Sequence, residues 1–195
     1  MSTRTTRSNG EASRRRILDA AAEIAGERGY AGTSISDVSA RSGLPKSSIY
    51  WHFTDKDALF AAVIEDSYQQ WRAEFDDRLG DRRPPAELVT VLHDSLASMP
   101  AFLRFGQLVT LEHRDTELSA RAAFLEIRRR SLATLAEGFA AATGVTADQA
   151  GTLAALALAL VDGAALARAA GEHALDDGRS LGDAFAAIIA KAVPG

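Results

Sequence analysis

Within seven consecutive residues the chain carries Lys46, Ser47, Ser48, Tyr50, Trp51 and His52: an amine, three hydroxyls, an imidazole and aromatic edges. Side chains of these types donate to phosphate oxygens and to base edges in a major groove. Tyr50, Trp51 and His52 are consecutive, so they cannot all face one core in a helix of ~3.6 residues per turn, and at least one must point outward. Ile49 is the lone aliphatic among them and reads as a single buried anchor. Thr33 and Ser34 upstream and Lys56 downstream extend the set. Competing chemistry is weak. The chain has no cysteine, no Gly-x-Ser-x-Gly, no phosphate loop and no Gly-x-Gly-x-x-Gly. Its histidines do not fall at a metal-ligand spacing. Glu112-His113 with Asp115 is the nearest approach to an acid-base cluster, and it is slight. The expectation is a binding protein with no metal and no cofactor, and not an enzyme.

The punctuation around these residues says what holds them. Ser34 with Asp37 three residues on is a capping-box pattern that starts a helix at Ile35, with Ile35 and Val38 as its inner face. Gly43 sits where that helix must stop. Pro45, favoured at a first helical position, restarts the chain as a short second helix bearing the reading residues. Thr54 with Asp57 forms another capping-box pattern, opening a third helix with Lys56 in its first turn.

Downstream the chain reads as almost continuous helix. Tyr68, Trp71 and Phe75 recur at helical spacing in a segment from about Asp55 to about Leu79. Gly80 to Pro85 breaks it. Leu88 to Met99 make a fifth helix ended by Pro100, and Phe102, Phe105 and Leu108 a sixth. A seventh begins after Asp115-Thr116 and carries Phe124. Thr146 with Gln149 caps an eighth, and Ser180 with Asp183 opens the last, with Phe185, Ile188 and Ile189. No alternating β-rich stretch competes, so the fold class is all-α. On the eighth helix Gly151, Ala155, Ala159, Gly163 and Ala167 lie four apart, a ridge of small side chains that lets two helix axes approach closely. That ridge serves either a dimer or packing inside one chain. Asp162 interrupts the run and argues against a membrane span.

The chain resembles the TetR (tetracycline-repressor-like) family of transcriptional regulators. The resemblance rests on Arg16-Ile17-Leu18-Asp19-Ala20-Ala21, Gly29-Tyr30, Thr33-Ser34-Ile35, Gly43, Ile49-Tyr50-Trp51-His52-Phe53, Lys56 and Leu59, in about the first third of the chain. Two features depart from the pattern: Pro45 stands where a small capping residue is usual, and Gly26 interrupts the first helix at about 1 kcal/mol relative to alanine. The resemblance implies a three-helix helix-turn-helix DNA-binding domain at residues 11–55, preceded by a flexible basic arm at 1–10. A helical ligand-binding and dimerisation domain follows at 56–195, with its interface mainly at 147–193. Tyr50 and His52 would touch the DNA backbone. Trp51 would meet sugars and thymine methyls or seal the helix against the core, and Phe53 belongs to the core. Gly151, Ala155, Ala159, Gly163, Phe185, Ile188 and Ile189 would form a homodimer interface. Tyr68, Trp71, Phe75, Phe102, Phe105 and Phe124 would line an apolar effector pocket, with His113 and Asp162 as polar handles. The implied function is a homodimeric repressor of a near-palindromic double-stranded operator, released by a small molecule. The alternative is an activator or accessory factor controlled by a protein partner or by no ligand.

Charge is compatible with this. The 195-residue chain has a formal net charge of −4, but residues 1–60 hold nine Lys or Arg against seven acids. Five of those arginines fall in the first sixteen residues, so the basic side of the asymmetry lies in the same third of the chain as the reading helix. Arg128, Arg129 and Arg130 point in three directions on a helix and read as a solvated face. The arginine-rich start leaves no apolar segment of signal-peptide form, and the expected location is cytoplasmic, with no membrane partner.

Overall fold

The computed structural model describes the backbone of residues 3–79, 85–97, 101–111 and 118–192. Among the described residues every regular element is a helix and none is a strand: α1 (Thr3–Arg28), α2 (Ile35–Ser42), α3 (Lys46–His52), α4 (Lys56–Leu79), α5 (Pro85–Leu96), α6 (Ala101–Leu111), α7 (Ser119–Thr143), α8 (Ala147–Ala169) and α9 (Gly178–Ala192). The break after Leu79, the Met99-Pro100 stop and Asp115-Thr116 lie largely outside the described residues, although Pro85 already opens α5.

Two compact units are present. The first takes in Met1–Gln69 and Pro100–Glu126, the second Gln70–Met99 and Ile127–Gly195. In the first, α1 buries Ile17, Leu18, Ala21, Ile24 and Ala25, the stripe that a 3.6-residue period places on one face. Gly26 does not interrupt it, and the helix closes when Gly29 N–H reaches the Ala25 carbonyl at 2.9 Å. Thr3 to Gly10, expected as a flexible arm, continue α1 as helix. Helix α2 is capped as its sequence predicts, with both halves of the Ser34–Asp37 box formed. It ends at Gly43, whose φ of 65° is a left-handed conformation that side-chain-bearing residues rarely adopt. Arg16 of α1 donates to the Ser42 carbonyl at 2.6 Å, so a guanidinium satisfies the end of α2. Arg41 of α2 pairs back to Glu23 and Glu27 of α1. Ile17, Leu18, Ala21, Ile24, Val38, Ile49, Phe53, Leu59 and Val63 close the core of the head.

Elsewhere in this unit, Tyr30, Phe60 and Phe105 form an aromatic cluster with centroids 5.0 to 6.2 Å apart. Helix α6 runs so close to α7 that a Cβ on Gly106 would collide with the Phe124 ring, so only glycine fits there. In the second unit α5 packs on α9, and Thr90 Oγ1 donates to the Gly178 carbonyl at 3.0 Å. Phe139 meets Phe185 at 5.4 Å between centroids. Helix α8 is long and apolar enough by composition to cross a membrane. Its Ala150, Leu153, Ala154, Ala157, Leu158, Val161, Ala164 and Ala165 are nevertheless buried in the fold.

Three local expectations are corrected. Pro45 is the N-cap of α3 and not its first residue; with φ −64° and ψ 152° it is extended and offers no side-chain hydrogen bond. Helix α4 is capped by Asp55, whose carboxylate accepts from Ala58 N–H at 2.8 Å, so the Thr54–Asp57 box does not form. Helix α9 is capped by Asp177, which accepts from the Arg179 and Ser180 amides, and not by Ser180. In both capping cases a neighbouring Asp of equal propensity holds the better position for the first free amides.

Candidate nucleic-acid interface

Helix α3 is seven residues long, and Ile49 is its only buried side chain. Ile49 is fully enclosed by the head core and Phe53 follows it inward, which sets the rotation of the helix. The remaining positions then face out. Lys46 and Ser47 are exposed and Ser48 is half-buried. Tyr50 is 53% and Trp51 76% exposed, so Trp51 does not seal the helix against the core. The Trp51 ring meets His52 edge-on at 4.5 Å between centroids. Across a cleft of about 370 Å³, Ser47, Ser48, Trp51 and His52 face Asn9, Gly10 and Ser13 of α1. Those three residues did not stand out in the sequence. The available signal was helical spacing carried upstream from Arg16, which the expected flexible arm obscured.

The charges around α3 are unevenly neutralised. Arg15 pairs with Asp19 and Asp66, and Arg41 with Glu23 and Glu27. Lys46 has no acidic partner among the described residues, and Arg14 lies over the Phe53 ring at 5.6 Å from its centroid. Partial burial, followed by the nearby Arg14 charge, lowers the His52 pKa below its ordinary value. His52 is therefore neutral at pH 7 and able both to donate and to accept. Among the described residues, Lys46 and Arg14 beside α3 thus have no acidic partner, an arrangement that suits phosphate contacts.

The flanking residues divide. Ser34 is exposed at the start of α2, where its hydroxyl serves the capping box. Lys56, the first residue of α4, holds its ammonium 4.1 Å from the Tyr30 ring centroid. Thr33 is a correction: it is 2% exposed and its hydroxyl donates to the Gly29 carbonyl at 2.8 Å, so the fold turns it inward. Lys46→Ala and Tyr50→Ala are each expected to weaken binding to a selected duplex by about tenfold, in line with ~1–3 kcal/mol for a good contact, while thermal stability is unchanged. Unchanged affinity in both variants would remove α3 as the reading face.

The residues expected around an effector are placed differently. Tyr68, Phe105 and Phe124 are buried within the first unit and Trp71 and Phe75 within the second, each as core. The Trp71 indole donates to Ser95 Oγ at 3.1 Å and its ring stacks on Phe75. Asp162 is engaged by Arg128 at 2.8 Å. The Phe102 side chain and His113 lie outside the described residues. At helical spacing an aromatic stripe marks a buried face, whether that face meets ligand or protein. Of the expected interface residues, Phe185 and Ile189 are buried in the chain's own core, whereas Ile188 is exposed. Gly151, Ala155, Ala159 and Gly163 are all exposed, and nothing lies within 4 Å of a Cβ built on either glycine. Among the described residues, these four positions of the ridge are left uncovered, whereas Ala167 at its end is half-buried.

Residues 17–63 match the family described as bacterial regulatory proteins, tetR family. Over 112 residues the chain is 26% identical to the HTH-type transcriptional regulator SrpR of Pseudomonas putida, which covers 57% of this chain and 52% of that protein. The chain thus spans about half the length of this curated relative. Among solved structures, a putative transcriptional regulator from Saccharomonospora viridis in complex with choline superposes with a TM-score of 0.70 at 23% identity, covering 90% of this chain and 95% of that one. The transcriptional regulator FadR from Bacillus subtilis, in complex with stearoyl-CoA, gives a TM-score of 0.64 at 18% identity, covering 87% and 94%. At these identities the likeness is one of fold.

Proposed function

We propose, from the premise that this chain is a DNA-binding transcriptional regulator of the TetR family, that it acts as a homodimeric repressor released from its operator by a small molecule. The observation that carries the dimer is the uncovered ridge of α8. Gly151, Ala155, Ala159 and Gly163 face outward, with Leu156, Leu166 and Ile188 also exposed on α8 and α9. An apolar surface of this kind on two long helices favours self-association into a four-helix contact, and two-fold pairing uses the same patch twice. A dimer also answers the smallness of the reading element. One seven-residue helix touches a few base pairs, whereas two heads on half-sites ~34–36 Å apart read a near-palindrome.

An effector is proposed on the precedent of the two neighbours with bound choline and bound stearoyl-CoA, which share this fold. The cytoplasm, where a DNA-binding regulator meets its operator, is the proposed location. The test is selection of bound sequences from a random duplex library at two salt concentrations, alongside light scattering on the eluted protein. A near-palindrome bound by a dimer, with affinity falling steeply as salt rises, is the expected result. A monomer at micromolar concentration, or a bound site without two-fold symmetry, would overturn the dimeric reading.

A further inference from the structure

Leu118 precedes α7. Its carbonyl accepts from Ala122 N–H at 3.1 Å, but its apolar side chain has nothing to offer the unpaired amides of the first turn. Those amides are served from another helix. Ser119 N–H donates to Asp57 Oδ2 at 2.7 Å and Ala120 N–H to Asp57 Oδ1 at 3.3 Å. Asp57 thus takes the place of an N-cap for α7 from 62 residues away. It also sits immediately after Lys56 in the first turn of α4. On its other side that turn meets the aromatic cluster: the Lys56 ammonium lies over Tyr30, and Tyr30 stacks on Phe105 of α6. The start of α4 is held from two directions, by a carboxylate clasp on α7 and by a ring shared with α6.

We propose that Asp57 is a positioning residue for DNA binding: by capping α7 it holds the first turn of α4 where Lys56 meets a backbone phosphate. This rests on the DNA-binding reading above. A carboxylate accepting two helix N-terminal amides makes charge-assisted, directional bonds and complements the positive end of the helix. Without them the first turn of α4 keeps its Asp55 cap but loses its tie to α7, and the Lys56 ammonium loses its set distance from the duplex.

The experiment uses the full chain and the duplex recovered by selection, with affinity measured across a salt series. Asp57→Ala, Ser119→Pro and Lys56→Ala are each expected to weaken binding by about three- to tenfold and to lower the salt slope by about 1, the signature of one lost phosphate contact. Ser119→Pro matters most, because proline is well tolerated at the first position of a helix yet removes the donated N–H without touching α4. The Lys56→Ala/Asp57→Ala double variant should be no weaker than either single variant, since both remove the same contact. Asp57→Asn keeps an acceptor and should retain most of the affinity. Independent, additive losses, or a native slope in Asp57→Ala and Ser119→Pro, would overturn the inference. So would a native slope in Lys56→Ala, while leaving the chain a DNA-binding protein. Absence of duplex binding by the unsubstituted chain would instead sink the DNA-binding reading, and the clasp's role with it.

Discussion

Ala159→Glu is expected to yield a folded monomer whose operator affinity has fallen by about two to four orders of magnitude, the gain that linking two binding modules normally supplies. Ala159 lies in the middle of the outward ridge of α8 and is exposed in the single chain, so a longer side chain there meets solvent and not core. The opposite face of the helix, with Ala157, Leu158 and Val161, is untouched. In a two-fold pair the ridge meets its own copy. One substitution therefore places two carboxylates in a close, apolar contact, each unpaired and repelled by the other. Light scattering should report the monomer, circular dichroism an unchanged helix content, and duplex binding the loss. A variant that remains dimeric with native affinity would show that the ridge is not the interface.

Ile49→Ala is expected to cost about 2–5 kcal/mol of stability, the range for removing a large aliphatic side chain from a packed core. Ile49 is fully buried, and no other α3 side chain is buried. The effect should therefore concentrate in the head: amide exchange in α3 should accelerate more than in α8 or α9, and duplex binding should fall with it. Against a total stability of ~5–15 kcal/mol this is a large fraction. Tyr50→Ala on the same helix is the contrast, since it removes an exposed ring and should leave stability almost unchanged. A loss below ~1 kcal/mol in Ile49→Ala would mean that α3 is held by something other than its anchor.

Helix α3 was legible because its signals are local. The Ser34–Asp37 box, the Gly43 stop and the single aliphatic Ile49 lie within sixteen residues, and each acts through backbone geometry or a three-residue reach. The same holds for the Thr146–Gln149 box of α8. Where two capping residues compete one or three positions apart, as with Thr54 and Asp55 or Asp177 and Ser180, pattern alone does not rank them. The choice depends on which side chain the incoming loop aims at the free amides.

The amino-acid sequence by itself determined that this chain is helical, where most helices begin and end, which short helix bears the donors, and that α8 carries a small-residue ridge. Those properties follow from φ/ψ preferences, caps and a 3.6-residue period, which neighbours along the chain decide. Tertiary structure alone decided which side is covered where the periodic pattern leaves the choice open. It turned Thr33 inward, buried Phe185 and Ile189 while leaving Ile188 outside, and packed Tyr68, Trp71, Phe75, Phe105 and Phe124 as core. It also took Asp57 from a local capping pattern and gave it to α7, 62 residues away. A periodic pattern marks a face that wants burial or a charge that wants a partner. Only the packing of distant segments supplies the surface or the amide that meets it.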